Sequence, residues 1–376
     1  MHTLARVGER DVLLRPAAVA MVWNAPGAAH AQVAVPGVRL SAGEALAEVE
    51  LATICGSDVH TVRGERSATT PLVLGHEQVG RIVAVGEDAR RADGSPLLVG
   101  DRVIWSVTVS CGACDRCVRG LTQACRSLAK YGHERVHRGW ELSGGFATHV
   151  HLRAGTAIVP VDGSVPAAVL APVSCATATA VAAIEAASAH LPLNDVTVLI
   201  TGAGMLGLTL TALASDAGAH VIVVEPDEQR RELALQFGAV AALDSRRSQA
   251  RLREAIGAAG PDPDALVAIE ASGAESGVRA CLSSVGVGGI VVLLGSVSPG
   301  GQLCVDPESL VSASITVRGV RDYTADQLVR AAAYLSSAWR RHPFGDLVSE
   351  GYSLTSVDAA LGAAAAATAV RVAVRP

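Results

Sequence analysis

The sequence predicts an α/β chain of two parts, a β-rich first third followed by a doubly wound parallel sheet, with the C-terminal end returning to the first part. Three observations carry this reading. Short apolar runs separated by Gly and Pro fill the N-terminal third; from about residue 165 apolar strands alternate with helical segments; and a G-x-G-x-x-G triplet falls where the first of those strands meets a helix. Strands spaced by helices of about 10–15 residues imply a parallel sheet with crossover helices. At 376 residues the chain is too long for one hydrophobic core, which stops growing near 250–300 residues, so two domains are expected.

Taken in order, AVAMVWN, ALAEVELATI, VGRIVAVG and DRVIWSVTV read as strands of the first part. An Ala-rich helix from Ala176 to Ala189 leads to the strand VTVLITG. Helix GMLGLTLTALASDAG, strand HVIVVEP, helix DEQRRELALQFG, strand ALVAIEASG, helix AESGVRACLSSV and strands GGIVVLLG and SITVRGV follow. These strands are apolar along their whole length, as expected when helices cover both faces. From Asp326 onward, helix DQLVRAAAYLSSAW and a last Ala-rich helix around residues 363–367 complete the chain.

Composition excludes several classes of function. Hydrophobic residues make up 50% and charged residues 18%, which suits a folded rather than a disordered chain. A net charge of −5 argues against a nucleic-acid partner, which selects for clustered Lys and Arg. No apolar run approaches the roughly 20 residues of a membrane span, and the charged N-terminus lacks a signal-peptide pattern, so a cytoplasmic location without a membrane partner is expected. In that reducing compartment, clustered cysteines are metal ligands more often than disulfides.

Gly202, Gly204 and Gly207 follow a strand and open a helix, the context a dinucleotide site needs. The first glycine makes the tight turn, the second lets backbone N–H groups reach a pyrophosphate, and the third admits close helix–strand packing. Met205 and Leu206 lie inside the motif, at the helix end whose dipole favours phosphate. Glu225 ends the next strand at about the 20-residue offset of the acid that binds the adenosine ribose. A carboxylate there repels a 2′-phosphate and no Arg directly follows it, so NAD is expected in preference to NADP. Arg230, Gly295 and Ser296 are further cofactor-contact candidates.

Half of the eight cysteines fall in CGACDRCVRGLTQAC: Cys111, Cys114, Cys117 and Cys125, spaced C-x2-C-x2-C-x7-C. Four soft thiolates at short spacing suit tetrahedral zinc. The last gap and the absence of a following Pro do not fit the ferredoxin patterns of iron–sulfur proteins. A closed four-thiolate site has no open position for substrate, so its role is structural. A second set is dispersed: Cys55, Ser57, Asp58 and His60 in ICGSDVH, His76 and Glu77 in LGHEQVG, and Cys175 in APVSCATAT. A catalytic zinc takes three protein ligands and leaves a fourth position open. Cys55, His76 and Cys175 could supply them, with Asp58 as acceptor for the imidazole N–H of His76.

With these motifs together, the chain resembles the zinc-dependent medium-chain alcohol dehydrogenases over nearly its whole length. The resemblance implies a GroES-like catalytic domain at 1–170 with a structural-zinc lobe at 110–126, a Rossmann NAD-binding domain at 171–319, and a return to the catalytic domain at 320–376. It matches Cys55 and His76 to the first two catalytic-zinc ligands, Ser57 to the hydroxyl that hydrogen-bonds the substrate oxygen, and His60 to the end of a proton relay. CGSDVH is most similar to the polyol dehydrogenase branch. APVSCATAT is most similar to tetrameric microbial alcohol dehydrogenases, in which the Cys is the third ligand and a Thr four residues on, here Thr179, packs against nicotinamide. Polyol-type relatives carry Glu-Pro where this chain has Ala171-Pro172, and that Glu serves the metal. On that alignment Glu77, not Cys175, takes the larger part; Cys175 is preferred. Cys281 and Cys304 match no ligand position and are expected to be buried small hydrophobes.

The stretches SLAKYGHE, GAGMLGL and GSVSP together resemble the branch associated with phosphonate metabolism. That resemblance implies an alcohol or aldehyde bearing a phosphonate, with Lys130, His133 and Arg321 as candidates for the anion, unless these are ordinary surface charges. The resemblance to the zinc-dependent medium-chain dehydrogenases also implies two zinc ions per chain, NAD(H), and a homodimer or homotetramer. The rivals are a zinc-free reductase of the same superfamily, a polyol dehydrogenase, and a zinc-stabilised NAD-binding regulator without turnover.

Overall fold

The computed structural model describes residues 9–244, 246, 249–295 and 302–376. The chain forms two compact units. One runs up to Cys175 and resumes with Tyr323–Pro376; the other is Ala176–Asp322.

The first unit is β-rich. Strands Ala45–Ile54, Glu77–Val85 and Arg102–Val109 are antiparallel neighbours in an eight-stranded sheet, and the last strand of the chain, Val372–Arg375, pairs with Ala45–Ile54. Arg102–Val109 is buried at every residue, which is why its sequence shows no alternation. A three-stranded sheet is built on Arg10–Trp23, whose partner Ala31–Leu40 the sequence reading did not mark. Its Pro36 and Gly37 interrupt the apolar pattern of that strand. Trp23, Leu40, Leu46, Leu72, Trp105, Tyr131 and Phe146 are buried in this unit's core. At about 25 cal/mol per Å² of apolar surface, each large side chain contributes roughly 1.5–3 kcal/mol.

The second unit is a six-stranded sheet, parallel throughout. Its first strand, Thr197–Thr201, lies between His220–Val224 and Ala265–Glu270. Outside these lie Ala241–Leu243 on one side, and Val285–Leu293 and then Thr316–Gly319 on the other. Numbered within the unit, this is the order 3-2-1-4-5-6 of doubly wound nucleotide folds, with the switch point beside the first strand. Thr197–Thr201 is wholly buried, as covering on both faces requires. Helices Ala176–Ser188, Met205–Asp216, Glu228–Gln236 and Glu275–Ser284 fall where the sequence places them; Gln249–Ala259 and Pro307–Ser312 are additional. Among the described residues no single helix is long and apolar enough to cross a membrane.

The turn after Thr197–Thr201 shows why the third glycine of the motif is glycine. A Cβ on Gly207 would lie 1.9 Å from the Gly202 carbonyl oxygen, and Gly202 itself holds φ +96°. Gly207→Ala should therefore force the helix off the strand, costing about 1–3 kcal/mol as overpacking does. A lower melting temperature together with weaker NADH binding, followed by nucleotide fluorescence, is the expected result.

Candidate active site

The structure brings Cys55, His76, Glu77 and Cys175 together, one ligand atom from each lying within 4.8 Å of all the others. Local structure explains each position. Cys55 is the N-cap of the short helix Gly56–Val62, and its N–H donates to Asp58 Oδ2 at 2.9 Å. The other Asp58 oxygen lies 3.4 Å from His76 Nδ1. Asp58 thus caps the helix and turns Nδ1 of His76 toward itself, leaving Nε2 for the sulfur side. Ser57 Oγ lies 3.4 Å from that Nε2. Cys175 follows the 3-10 turn Ala171–Ser174, where Ser174 Oγ donates to the His76 carbonyl at 3.2 Å. Tyr323 braces the same turn, its hydroxyl donating to the Ser174 carbonyl and accepting from Val107 N–H at 3.0 Å.

The donors suit zinc. Tetrahedral thiolates at about 2.3 Å from the metal stand about 3.8 Å apart. Cys55 and Cys175 Sγ are 3.9 Å apart. In the lobe the sulfur separations are 4.0 Å for Cys111–Cys117, 3.5 Å for Cys114–Cys117, 3.9 Å for Cys114–Cys125 and 3.4 Å for Cys111–Cys125. All four lobe cysteines are free thiols, not disulfides. Backbone N–H groups of Cys111 and Cys114 point at lobe sulfurs at 3.4 Å. Backbone N–H donors from Arg126 and Cys117 draw the Cys114 thiol down to about 6, the state a metal needs.

Electrostatics in the dispersed set are finely opposed. Two thiolates 3.9 Å apart would repel by about 4 kcal/mol at an effective dielectric of 20, so without a cation only one ionises. It is Cys55: the hydrogen bond from Cys175 and then the Arg371 charge hold it well below an ordinary thiol. That same bond and burial push Cys175 well above one. Burial would lower His76, but the Asp58 carboxylate and Cys55 outweigh it and raise it to about 10.

Glu77 points away from the sulfurs as much as toward them. Thr53 Oγ1 donates to it at 2.7 Å, and Arg371 Nε donates to its Oε2 at 2.8 Å while Nη2 donates to Oε1 at 3.1 Å. Burial pushes its pKa up to about 7, with Arg371 pulling against that. Arg371 also reaches Cys55 Sγ at 3.9 Å. Sequence reasoning missed Arg371, Thr53 and Tyr323. None has a local spacing signal, since each reaches the site from a distant strand or turn.

Among the anion candidates, the His133 ring lies 5.0 Å from the His76 ring, centroid to centroid. Its Nδ1 sits 2.9 Å from the Tyr131 carbonyl, which can only accept, so the N–H of neutral His133 is already committed. Lys130 is in the short strand Ala129–Lys130 just before it. Arg321 belongs to the other unit, is exposed and pairs with Asp322 at 3.7 Å. His60 is exposed and paired with Glu65. Cys281 is buried as expected, but Cys304 is exposed, in the connection before helix Pro307–Ser312, and is no core residue.

In the nucleotide unit, Gly204 caps helix Met205–Asp216, and a Cβ there would meet nothing within 4 Å, leaving open approach to the backbone. Met205 is buried and Leu206 half-buried. Glu225 accepts from Ala203 N–H at 2.7 Å and from Asp227 N–H at 3.1 Å, which fixes its carboxylate beside the glycine turn. Arg230 is half-buried in the first turn of the next helix. Gly295 packs backbone to backbone against Gly273. Thr179 lies in the first turn of Ala176–Ser188. Ser296 lies outside the described residues.

Residues 41–163 match the alcohol dehydrogenase GroES-like domain, and residues 206–337 match the zinc-binding dehydrogenase family. L-threonine 3-dehydrogenase of Shewanella oneidensis is 30% identical over 295 residues, covering 77% of this chain and 80% of that one. The Streptomyces coelicolor L-threonine 3-dehydrogenase is 33% identical over 76% of this chain and 79% of its own. An alcohol dehydrogenase structure from Thermotoga maritima superposes with a TM-score of 0.88 at 28% identity, over 96% of this chain and 99% of that one. A zinc-binding dehydrogenase from Sinorhizobium meliloti, solved with NADP, gives 0.83 at 27% identity over 96% and 99%.

Breaking a buried ion pair leaves an uncompensated charge at a cost of about 3–5 kcal/mol. Arg371→Ala should lower stability by about that much, and Glu77→Gln/Arg371→Met should lower it clearly less. A double-mutant cycle by chemical denaturation measures the coupling; simple additivity would remove the pair as a structural tie.

Proposed function

The chain belongs to the zinc-binding dehydrogenase family and is an oxidoreductase acting on CH–OH groups; from that premise we propose that it transfers hydride between an alcohol and NAD at a site formed by Cys55, His76 and Cys175. The observation that carries this is the convergence of these three donors, with Ser57 Oγ 3.4 Å from the inward nitrogen of His76. Cys111, Cys114, Cys117 and Cys125 hold a second, structural zinc. When bound at the dispersed set, zinc supplies Lewis acidity to the substrate oxygen. Ser57 is placed to accept the alcohol proton, and exposed His60, at the far end of the same helix, passes it to water. Asp58 keeps the imidazole of His76 turned inward. Cys175 is the third ligand in this reading, because Arg371 and Thr53 already occupy both oxygens of Glu77.

Glu225 supports NAD over NADP, since its fixed carboxylate repels a 2′-phosphate. The substrate we propose is an alcohol or aldehyde bearing a phosphonate, on the strength of SLAKYGHE and its companion stretches. The L-threonine 3-dehydrogenase relatives favour a second reading, a hydroxy amino acid. A homodimer or homotetramer is the proposed assembly. Edge strand Thr316–Gly319, with Val317 exposed, offers unpaired backbone to a second copy.

Metal analysis should find two zinc ions per chain. Cys55→Ala should lose one of them and essentially all turnover while still binding NADH, whereas Cys117→Ala should lose the other and fall first in melting temperature. A Cys55→Ala protein with full turnover would end the zinc reading. In the metal-free protein Cys175 and His76 are both protonated at neutral pH by the shifts above, so zinc must displace those protons. Indicator-dye titration should show proton release on zinc addition, and zinc affinity should fall as pH falls.

A further inference from the structure

We propose that Glu270 is the positioning residue for the nicotinamide half of NAD: its buried carboxylate gathers the loop that follows it into the seat for that half. The inference deepens the reading above and rests on its choice of NAD, not on the zinc ligands.

Strand Thr197–Thr201 is flanked by His220–Val224 and Ala265–Glu270, and each flanking strand leads to a buried acid. On one side, Glu225 takes the N–H groups of Ala203 and Asp227. On the other, Glu270 is fully buried and stands level with Thr201 in the sheet register. Its Oε1 accepts from Ser272 N–H at 2.7 Å, from Ser272 Oγ at 2.7 Å and from Gly273 N–H at 2.6 Å. Its backbone carbonyl accepts from the N–H groups of Leu294 and Gly295, each at 3.0 Å. An acid withdrawn from water is tolerated only when its oxygens are hydrogen-bonded. Here one oxygen gathers three donors from two consecutive residues, which folds loop 271–273 back onto the end of its own strand.

That loop has close neighbours on both sides. A Cβ on Gly202 would stand 3.0 Å from Ser272 N and Cα, and one on Gly295 would stand 2.3 Å from Gly273 N. The glycine turn, loop 271–273 and residues 294–295 therefore pack backbone to backbone across the carboxyl ends of three adjacent strands. A doubly wound sheet binds a dinucleotide across the crevice at its switch point, one mononucleotide to each half. Glu225 belongs to the half that holds the glycine turn and fits the adenosine. Glu270 ends the first strand of the other half, so the loop it shapes serves the nicotinamide riboside. Glu270 acts through Ser272 and Gly273 rather than by touching the cofactor. Hydride transfer is sensitive to small displacements of the bound ring, so a shift in this loop matters beyond its cost in stability.

The test compares zinc-loaded wild type, Glu270→Ala and Glu270→Gln by calorimetry with NADH and with AMP, which carries the adenosine half alone. Glu270→Ala leaves buried N–H donors unpaired and should weaken NADH by about tenfold or more, while AMP weakens less than about threefold. The emission shift of bound NADH, which reports the surroundings of the nicotinamide, should shrink in the same variant. Glu270→Gln keeps an acceptor oxygen for the same donors and should recover most of the affinity and of the emission shift. If Glu270→Ala does not fold, Ser272→Ala removes one of the three donors, and a loss of about threefold confined to NADH supports the assignment. Equal losses on NADH and AMP would show a general structural tie, and unchanged NADH binding would show no role; either overturns the proposal. Wild type that binds AMP but not NADH would instead end the NAD reading on which it rests.

Discussion

The first unit depends on one constraint: negative charge packed around Cys55 must be neutralised without water. His76, Glu77 and Asp58 are buried and two sulfurs stand 3.9 Å apart. At that distance like charges repel by about 4 kcal/mol at an effective dielectric of 20, comparable to much of a domain's net stability. A dication resolves the repulsion between the thiolates. Arg371 resolves the part that remains, gripping Glu77 with two donors and facing Cys55. Because Arg371 immediately precedes the last strand, this neutralisation also stitches the C-terminal segment to the sheet that presents His76.

The two cysteine sets solve the same coordination problem by opposite means. In the lobe, all four cysteines come from one short stretch; backbone N–H groups lower the Cys114 and Cys125 thiols locally, while burial raises that of Cys117. Such a site needs little from the rest of the fold, which suits a brace. The dispersed set draws on a helix N-cap, the residue before a strand and the end of a 3-10 turn. Its geometry exists only when the unit is folded, and the supporting groups (Asp58, Ser174, Tyr323) hold ligands rather than replace them. In the proposed reading, three ligands with a hydroxyl beside them leave a fourth position for a reacting oxygen, which four lobe thiolates do not.

This difference governs what the sequence made legible. The lobe and the glycine turn are local, so their spacing alone identified them, and the parallel sheet followed from apolar strands alternating with helices. Cys55, His76 and Cys175 were candidates by donor chemistry alone and took their order as ligands from the resemblance, because no spacing rule joins residues on three elements. Arg371 was invisible: a lone Arg before an apolar strand reads as a strand boundary, and its partner Glu77 is 294 positions away. Strand Ala31–Leu40 was lost to its internal Pro-Gly. Cys304 was misread because cysteine's general preference for burial says nothing about an individual loop. His133 lies beside His76, and which of its atoms carries the proton is set by the Tyr131 carbonyl, a tertiary fact that no sequence pattern shows.

The same electrostatics bear on substrate choice. The buried cluster around Cys55 holds its negative charge against Arg371, so Arg371 has no capacity left for a substrate anion. A charged substrate must find its cation elsewhere, close enough to the zinc ligands to orient the carbinol carbon yet separated from the thiolates that would compete for it.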